Sequence, residues 1–338
     1  MAARPAGDTP RVTVSAVVAT YGRAVLLRRS LAALLADRAL DELVVVVDGS
    51  EDGSMQIVEA LRRSDARVVG LWSDGVGAPI ARERGVQAAT GEVVLLVDDD
   101  VVAGADLVAG HAHHHTRGCG LVVLGSMPIE RPSARAPGQA PVYLYAEEYD
   151  RMCERYEREP GRVLENLWMG NVSLRRQDAL RVGLHSEAFG PVFHEDRDLG
   201  LRLRAAGLSA VFDRRLAARH HYERPLPAFV RGASSQGEGI VALHADHADT
   251  LGPVDLSRFS AGLPAVARVA VRLAARPRAD GILRRLLTGV AVLAGQARLW
   301  PVETAAVRLL RRIAQQRGAL SALSARRDGH TPSTPFGR

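Results

Sequence analysis

Three consecutive aspartates, Asp98, Asp99 and Asp100, follow the apolar run at residues 92–97. Carboxylate oxygens are the natural ligands of hard divalent cations such as Mg²⁺ and Mn²⁺. Three adjacent acids repel one another unless a cation or strong donors compensate. A loop that merely needs a capping aspartate needs one, so the triplet points to a metal. Asp48 closes a second apolar run, residues 43–47, within Val47-Asp48-Gly49-Ser50-Glu51-Asp52-Gly53-Ser54. It reads either as a plain strand-turn-helix junction with Ser50 or Asp52 as N-cap, or as a carboxylate accepting hydrogen bonds from a base or ribose. His194-Glu195-Asp196 opens a helix whose first turn also holds Asp198. Acids at a helix N-terminus contribute about 0.3–1 kcal/mol each, which accounts for one or two of them but not for the preceding His and Glu. A carboxylate held there is also a positioned general base, ionised and intrinsically weak, suited to a hydroxyl that loses its proton late.

Histidines offer a further ligand. His220 and His221 follow a short strand at 209–213; beside a carboxylate-bound cation, one of the pair becomes a candidate ligand, the alternative being a structural role. His111, His114 and His115 share a helical face, but nothing else supports a second metal there, so with His113 they are expected on a solvated face. Arg82, in Ile80-Ala81-Arg82-Glu83-Arg84-Gly85, is either a surface helix arginine or a bidentate phosphate contact.

The elements that position these groups alternate. Residues 12–19, 43–47, 67–71 and 92–97 read as buried strands; 24–36, 50–63 and 79–89 read as helices between them. This alternation predicts a parallel α/β sheet, in which ligands bind at the carboxyl ends of the strands. Thr20, Asp48 and Asp98 to Asp100 all sit at such ends. Beyond residue 125 the alternation stops. Residues 131–141 predict a mobile Pro/Ala/Gly loop. Residues 143–156 carry Tyr143, Tyr145, Tyr149 and Tyr156, whose aromatic faces either border a binding site or simply pack. Residues 172–182 predict a strand leading into a helix, 196–206 an amphipathic helix stopped by Gly207, and 209–212 a strand. From about 255 to 325 the chain is expected to be helical.

Composition narrows the class. At 338 residues with 47 % apolar and 24 % charged, whole-chain disorder is excluded, and no run reaches the roughly 20 apolar residues of a membrane span. The first ten residues show no signal-peptide pattern. Only Cys119 and Cys153 occur, which predicts a reducing, cytoplasmic setting. The basic charge is all arginine. Residues 251–338 hold fifteen arginines against four acids, so a basic tail follows an acidic body. Arg268, Arg272 and Arg276 fall four apart, beside Val266, Val269 and Leu273. This pattern suits either a peripheral contact with an anionic membrane through 255–325, at its inner face, or a helical lid or dimer contact. Nucleic acid is not expected, because the basic region lacks interleaved aromatics.

Taken together, these segments resemble the inverting family-2 glycosyltransferases of the GT-A fold. The match lies in order and spacing: Val17-Val18-Ala19-Thr20-Tyr21-Gly22-Arg23, the Asp48 segment, Ala81-Arg82-Glu83-Arg84-Gly85, Val97-Asp98-Asp99-Asp100, Gly170-Asn171-Val172-Ser173-Leu174-Arg175-Arg176 and Glu195-Asp196-Arg197-Asp198-Leu199, with His220 or His221 as a late ligand. Val47 and Glu83 depart from the family pattern, and both changes bear on nucleotide choice.

The resemblance implies a GT-A nucleotide-diphospho-sugar transferase fold, Rossmann-like and mainly parallel, with an Arg-rich helical extension. It implies a catalytic domain over 10–250 (nucleotide-sugar half 10–125, acceptor half 126–250), an extension over 251–325 and disorder over 326–338. It implies a divalent cation, Mn²⁺ or Mg²⁺, held by Asp100 with Asp98 and His220 or His221. It implies a nucleotide-sugar donor, with a UDP-sugar expected, held by Thr20, Tyr21, Arg23, Asp48, Arg82, Asp98, Asp99, Gly170 and Asn171. Asp196, with Glu195 beside it, would deprotonate the hydroxyl of a glycan, a lipid-linked or a natural-product acceptor. A nucleotidyltransferase would be expected to show a Gly-rich phosphate loop after the first strand, where this chain has Thr20-Tyr21-Gly22-Arg23. A non-catalytic binding protein would need no base. A glycoside hydrolase would need no nucleotide segment.

Overall fold

The computed structural model describes residues 11–116, 118–186 and 193–328. The elements run β1 (Val14–Thr20), α1 (Ala24–Ala36), β2 (Glu42–Asp48), α2 (Ser54–Ser64), β3 (Val68–Ser73), α3 (Ala78–Ala88), β4 (Val93–Val97), β5 (Val101–Ala103), α4 (Leu107–His115), β6 (Leu121–Ser126), α5 (Ala140–Arg158), β7 (Asn171–Arg175), α6 (Arg176–Val182), α7 (Glu195–Ala205) and β8 (Ser209–His220). Five helices follow: α8 (Leu226–Asp246), α9 (Ala248–Leu251), α10 (Ala265–Leu273), α11 (Pro277–Gln296) and α12 (Trp300–Arg327). No described helix is long and apolar enough to cross a membrane. Of the tail expected to be disordered, Arg326 and Arg327 close α12, and 329–338 lie outside the described residues.

Internal contacts divide the chain into two compact units, Met1–Glu130 with Asp150–Ser186 and Leu199–His221, and Arg131–Tyr149 with Glu187–Asp198 and Tyr222–Arg338. The first unit holds one eight-stranded sheet in the order β3-β2-β1-β4-β7-β6-β8-β5. Continuous β-branched runs with no polar alternation build its centre: the described side chains of β4 and residues 43–48 of β2 are all buried, as parallel strands covered on both faces require. β3, β2, β1 and β4 are mutually parallel. The expected parallel sheet then becomes mixed. β7 runs antiparallel between β4 and β6, β6 and β8 are parallel, and β5 pairs antiparallel with β8. The long excursion through 126–170 lets β7 enter from the opposite direction, which alternation in the first half does not foretell.

One expectation is overturned in this unit. His111 and His115 do not lie on a solvated face; both are fully buried. They belong to a chain of hydrogen bonds. The Asn171 side-chain amide donates to Ser126 O (3.1 Å) and Leu216 O (3.0 Å), so its oxygen accepts from His111 Nε2 (3.0 Å). His111 Nδ1 then accepts from Ser173 Oγ (2.8 Å), which in turn accepts from His115 Nε2 (2.9 Å). Buried polar groups need partners, and strand β7 supplies them from a sheet face that sequence spacing along α4 does not reveal. Burial pushes His111 down to about 3 and His115 down to about 4, so both rings are neutral.

The second unit is helical. α8 and α12 approach closely enough that a Cβ on Gly237 would stand 1.9 Å from Gln315 O, and one on Gly318 2.0 Å from Ser234 O. Glycine alone permits that contact. Leu310, Ile313, Ala314 and Ala319 of α12 are buried. The loop at 131–141 is tied down, contrary to its composition. Glu303, 1 % exposed, accepts from Arg135 Nη2 and Gly138 N, each at 2.8 Å. A buried carboxylate must be paired, and the loop supplies the donors. The Arg135 guanidinium also lies over the rings of Tyr143 and Trp300, 4.6 and 5.2 Å from their centroids. Among the tyrosines, Tyr149 and Tyr156 are buried, and Tyr145 stacks on Tyr222 with centroids 3.9 Å apart.

Neutral buried histidines make stability fall with acid. Above pH ~6.5 both states are neutral; below it the unfolded chain binds protons that the fold refuses, each histidine removing about 1.4 kcal/mol per pH unit. For His111 this continues down to about pH 3. Unfolding free energies measured between pH 7 and pH 5 should therefore drop, and the drop should be shallower in His115→Phe than in the wild type.

Candidate functional site

The three aspartates lie where β4 ends, and each is engaged by a group from a different part of the first unit. Thr20, the last residue of β1, donates from Oγ1 to Asp99 Oδ2 at 2.8 Å. Arg23, in the turn after β1, reaches Asp99 Oδ1 at 2.9 Å with the same Nη1 that contacts Asp100 Oδ2. Arg82 of α3 contacts Asp98 Oδ1 at 2.7 Å. His220, the last residue of β8, places Nε2 3.3 Å from Asp100 Oδ1. Ser30 Oγ of α1 donates to the Asp99 carbonyl at 2.9 Å. Spacing alone does not single out Ser30; its one signal is a polar residue beside the apolar stripe of α1.

These contacts pull the neighbouring acids apart electrostatically. Burial raises Asp99, and the charges of Asp100 and Asp98 add to the rise against Arg23 and the Thr20 hydroxyl. Burial pushes Asp100 the same way, but the His220 bond and charge together with Arg23 outweigh it and hold Asp100 below its ordinary value. Arg23 is pushed down by burial, and Asp100 and Asp99 more than restore it, so it stays charged.

The remaining predicted residues fall in several places. Asp48 accepts from Val76 N (2.9 Å) and Gly77 N (2.8 Å), so both its oxygens hold the loop that opens α3. Asp52 fastens the segment after β2 to the start of α1. Burial pushes it up, but bonds from Ser50, Ser54 and Ala24 N prevail and bring it to about 2. Tyr21 is largely exposed. Gly170 has φ +113°, and a Cβ there would lie 2.8 Å from Met127 Sδ and 2.9 Å from Asp98 Oδ2; its carbonyl accepts from Asp98 N at 3.3 Å. The Asn171 amide is wholly engaged in the buried chain above and acts behind the aspartates. His220 rather than His221 stands at Asp100: His221 gives its backbone N–H to Asp100 O (2.8 Å), while its ring is 3.2 Å from Glu130 Oε2. Glu83 accepts from His185 N at 2.8 Å, a positioning bond. In the second unit, Glu195 and Asp196 occupy the first turn of α7. Asp198, buried in the same turn, meets His247 Nε2 at 2.8 Å, a partner 49 residues away that no motif spacing suggests.

Asp100 and His220 offer one oxygen and one nitrogen donor; the carboxylate suits Mn²⁺ or Mg²⁺, and the imidazole favours a transition metal such as Mn²⁺ over Mg²⁺. Among the described residues no group of three His, Cys, Asp or Glu side chains could hold an ion by itself. The donors therefore fit a cation that completes its shell with substrate oxygens and water.

A carboxylate cluster at the carboxyl end of a strand, on a sheet parallel in its first half and mixed beyond, defines the GT-A class of fold. Residues 15–179 match the sequence family described as Glycosyl transferase family 2. It is 23 % identical over 254 residues to the uncharacterized glycosyltransferase YfnE of Bacillus subtilis (strain 168), covering 61 % of this chain and 64 % of that one. It is 30 % identical over 235 residues to validoxylamine A glucosyltransferase of Streptomyces hygroscopicus subsp. jinggangensis, covering 62 % and 55 %. The matches thus span less than two thirds of those relatives' lengths. Among solved structures, the mannosyltransferase PcManGT from Pyrobaculum calidifontis, in complex with GDP-Man and Mn²⁺, superposes with a TM-score of 0.57 at 17 % identity, covering 92 % of this chain and 89 % of that one.

Gly170→Ala should lower the unfolding free energy by about 1–3 kcal/mol, the cost of a non-glycine residue forced into sparsely populated backbone space. Denaturant titration of the purified variant checks this.

Proposed function

We propose that this chain is a metal-dependent, inverting glycosyltransferase that moves a sugar from a nucleotide-sugar donor, a UDP-sugar in the first instance, onto an acceptor hydroxyl. The observation that carries the reading is the aspartate cluster after β4, with His220 against Asp100 and Arg82 against Asp98, inside a family-2 segment. Asp100 and His220 are the residues that would hold the cation; when bound, it would offset charge building on the departing diphosphate. Arg82, already at the cluster, is placed to exchange its carboxylate partner for a phosphate oxygen, a geometry the guanidinium fork favours. Asp98 and Asp99 would face the ribose. Thr20 and the Asp48-held loop would border the base, and the turn at Gly170 the sugar.

The reaction is a single displacement. The acceptor oxygen forms a bond to the anomeric carbon as the bond from that carbon to the diphosphate oxygen breaks. The acceptor proton passes to the Asp196 carboxylate, and the nucleoside diphosphate leaves. Attack opposite the leaving group inverts the anomeric centre. Asp196 lies in the acid-rich first turn of α7. Asp198, tied to His247, fixes the same turn. The acceptor is a hydroxyl of a glycan, a lipid-linked or a natural-product molecule.

Thermal unfolding with nucleoside diphosphates and nucleotide sugars, with Mn²⁺ or Mg²⁺ and with chelator, tests the donor site. Ligand at a hundredfold excess over its Kd should add about 2.7 kcal/mol of stability, and chelator should remove that gain. Asp100→Ala should lose the metal-dependent part; an unchanged metal response overturns its ligand role. Asp196→Asn should bind donor as the wild type does while transfer falls by about 10²–10⁴-fold. Loss of donor binding instead refutes its role as base.

A further inference from the structure

The helical unit carries an apolar face that nothing among the described residues covers. On α11 the residues Ala291, Ala294 and Gly295 are buried, while Ile282, Leu286 and Leu293 are 61, 62 and 67 % exposed. Intervals of four and seven put these three on one stripe. Arg278 lies one turn before Ile282 and Arg285 one turn after it, both exposed. α10 repeats the arrangement: Val266, Val269 and Leu273 are exposed at intervals of three and four, with Arg272 on the flank. Among the described residues, Arg272, Arg278 and Arg285 form no ion pair. The single acid of α11, Asp280, is taken by Arg284 at 2.7 Å.

We propose that this face of α10 and α11 docks in the plane of an anionic lipid surface. A stripe of aliphatic residues flanked by uncompensated arginines matches an interface whose headgroups are negative and whose acyl boundary is apolar. Two observations favour this occupant over a second copy of the chain. A twofold contact sets the same patch against itself, so the arginines of each copy would face a stripe that offers them no free acid. The imbalance also extends along the sequence, with fifteen arginines against four acids over residues 251–338. Polyanions such as nucleic acid match the arginines but leave the aliphatic stripe in water. The inference stands apart from the transfer reaction and would hold for a catalytically inactive chain.

Flotation of the full-length protein tests it, using phosphatidylcholine vesicles with and without about one third phosphatidylglycerol. The wild type should float with the anionic vesicles only, and less at high salt. Arg278→Glu with Arg285→Glu should weaken that partition on the order of thirtyfold or more, at about fivefold per arginine lost. Ile282→Glu with Leu286→Glu should abolish it. Both pairs are solvent-exposed, so unchanged thermal midpoints should accompany the loss. Absence of flotation by the folded wild type overturns the proposal. So does flotation equal in wild type and both variants. Light scattering that shows a wild-type dimer dissolved by Ile282→Glu with Leu286→Glu, without vesicle binding, assigns the face to a second copy instead. Binding of an oligonucleotide that displaces the vesicles yet ignores Ile282→Glu with Leu286→Glu also refutes it.

Discussion

Three carboxylates on successive residues cannot all stay ionised at one strand end unless positive charge is brought to them. In this protein that charge comes from Arg23 and Arg82, and further polar contacts come from His220, Thr20 and Ser30. The donors belong to the end of β1 and its turn, to α1, to α3 and to the end of β8. Their contacts with Asp98, Asp99 and Asp100 require those elements to finish at the same place. Adjacent positions consequently differ in character, with Asp99 pushed up and Asp100 held down. The cluster is a structural junction of the first unit.

A second polar layer stands behind that junction. His115, Ser173, His111 and Asn171 pass hydrogen bonds from α4 to the backbones of β6 and β8. Asn171 is next to Gly170, whose carbonyl holds Asp98 N. Low local dielectric strengthens such chains and makes any missing member costly. His111 must stay neutral for the donors and acceptors to alternate, because its Nδ1 accepts from Ser173 while its Nε2 donates to Asn171. Asp48 acts similarly on the opposite flank, where it spends both oxygens on the loop that aims α3 and hence Arg82.

The helical unit solves a different problem. α12 packs on α8 through glycine contacts at backbone distance, and Glu303 draws the 131–141 loop to it with two hydrogen bonds. That buries the apolar side of α12 and leaves α10 and α11 as its outer members. Apart from Arg284, which pairs with Asp280, their arginines form no ion pair among the described residues, because the sequence places so few acids there. Charge and apolarity therefore appear together on the surface of one unit, whereas the sheet unit buries its apolar runs and concentrates its acids.

Much of this was legible in the chain itself. β-branched runs closed by Thr20, Asp48 and Asp98 announced buried strands with polar ends, and α1 spans the 24–36 stretch its leucine spacing indicates. These signals are local: periodicity and turn chemistry act over a few residues, and they survive any tertiary arrangement. Motif order likewise marked the aspartate triplet, Arg82, Gly170 and the acidic start of α7. Tertiary structure alone decided the rest. It reversed β7, buried His111 and His115, chose His220 over His221 at Asp100, and anchored a loop whose composition suggested freedom. Each outcome depends on a partner dozens to more than a hundred residues away, as with Arg23 and Asp99 or Arg135 and Glu303. Such pairings follow from sheet order and packing. They satisfy the demand of a buried polar group for a counterpart, and nothing in the local sequence names which counterpart that will be.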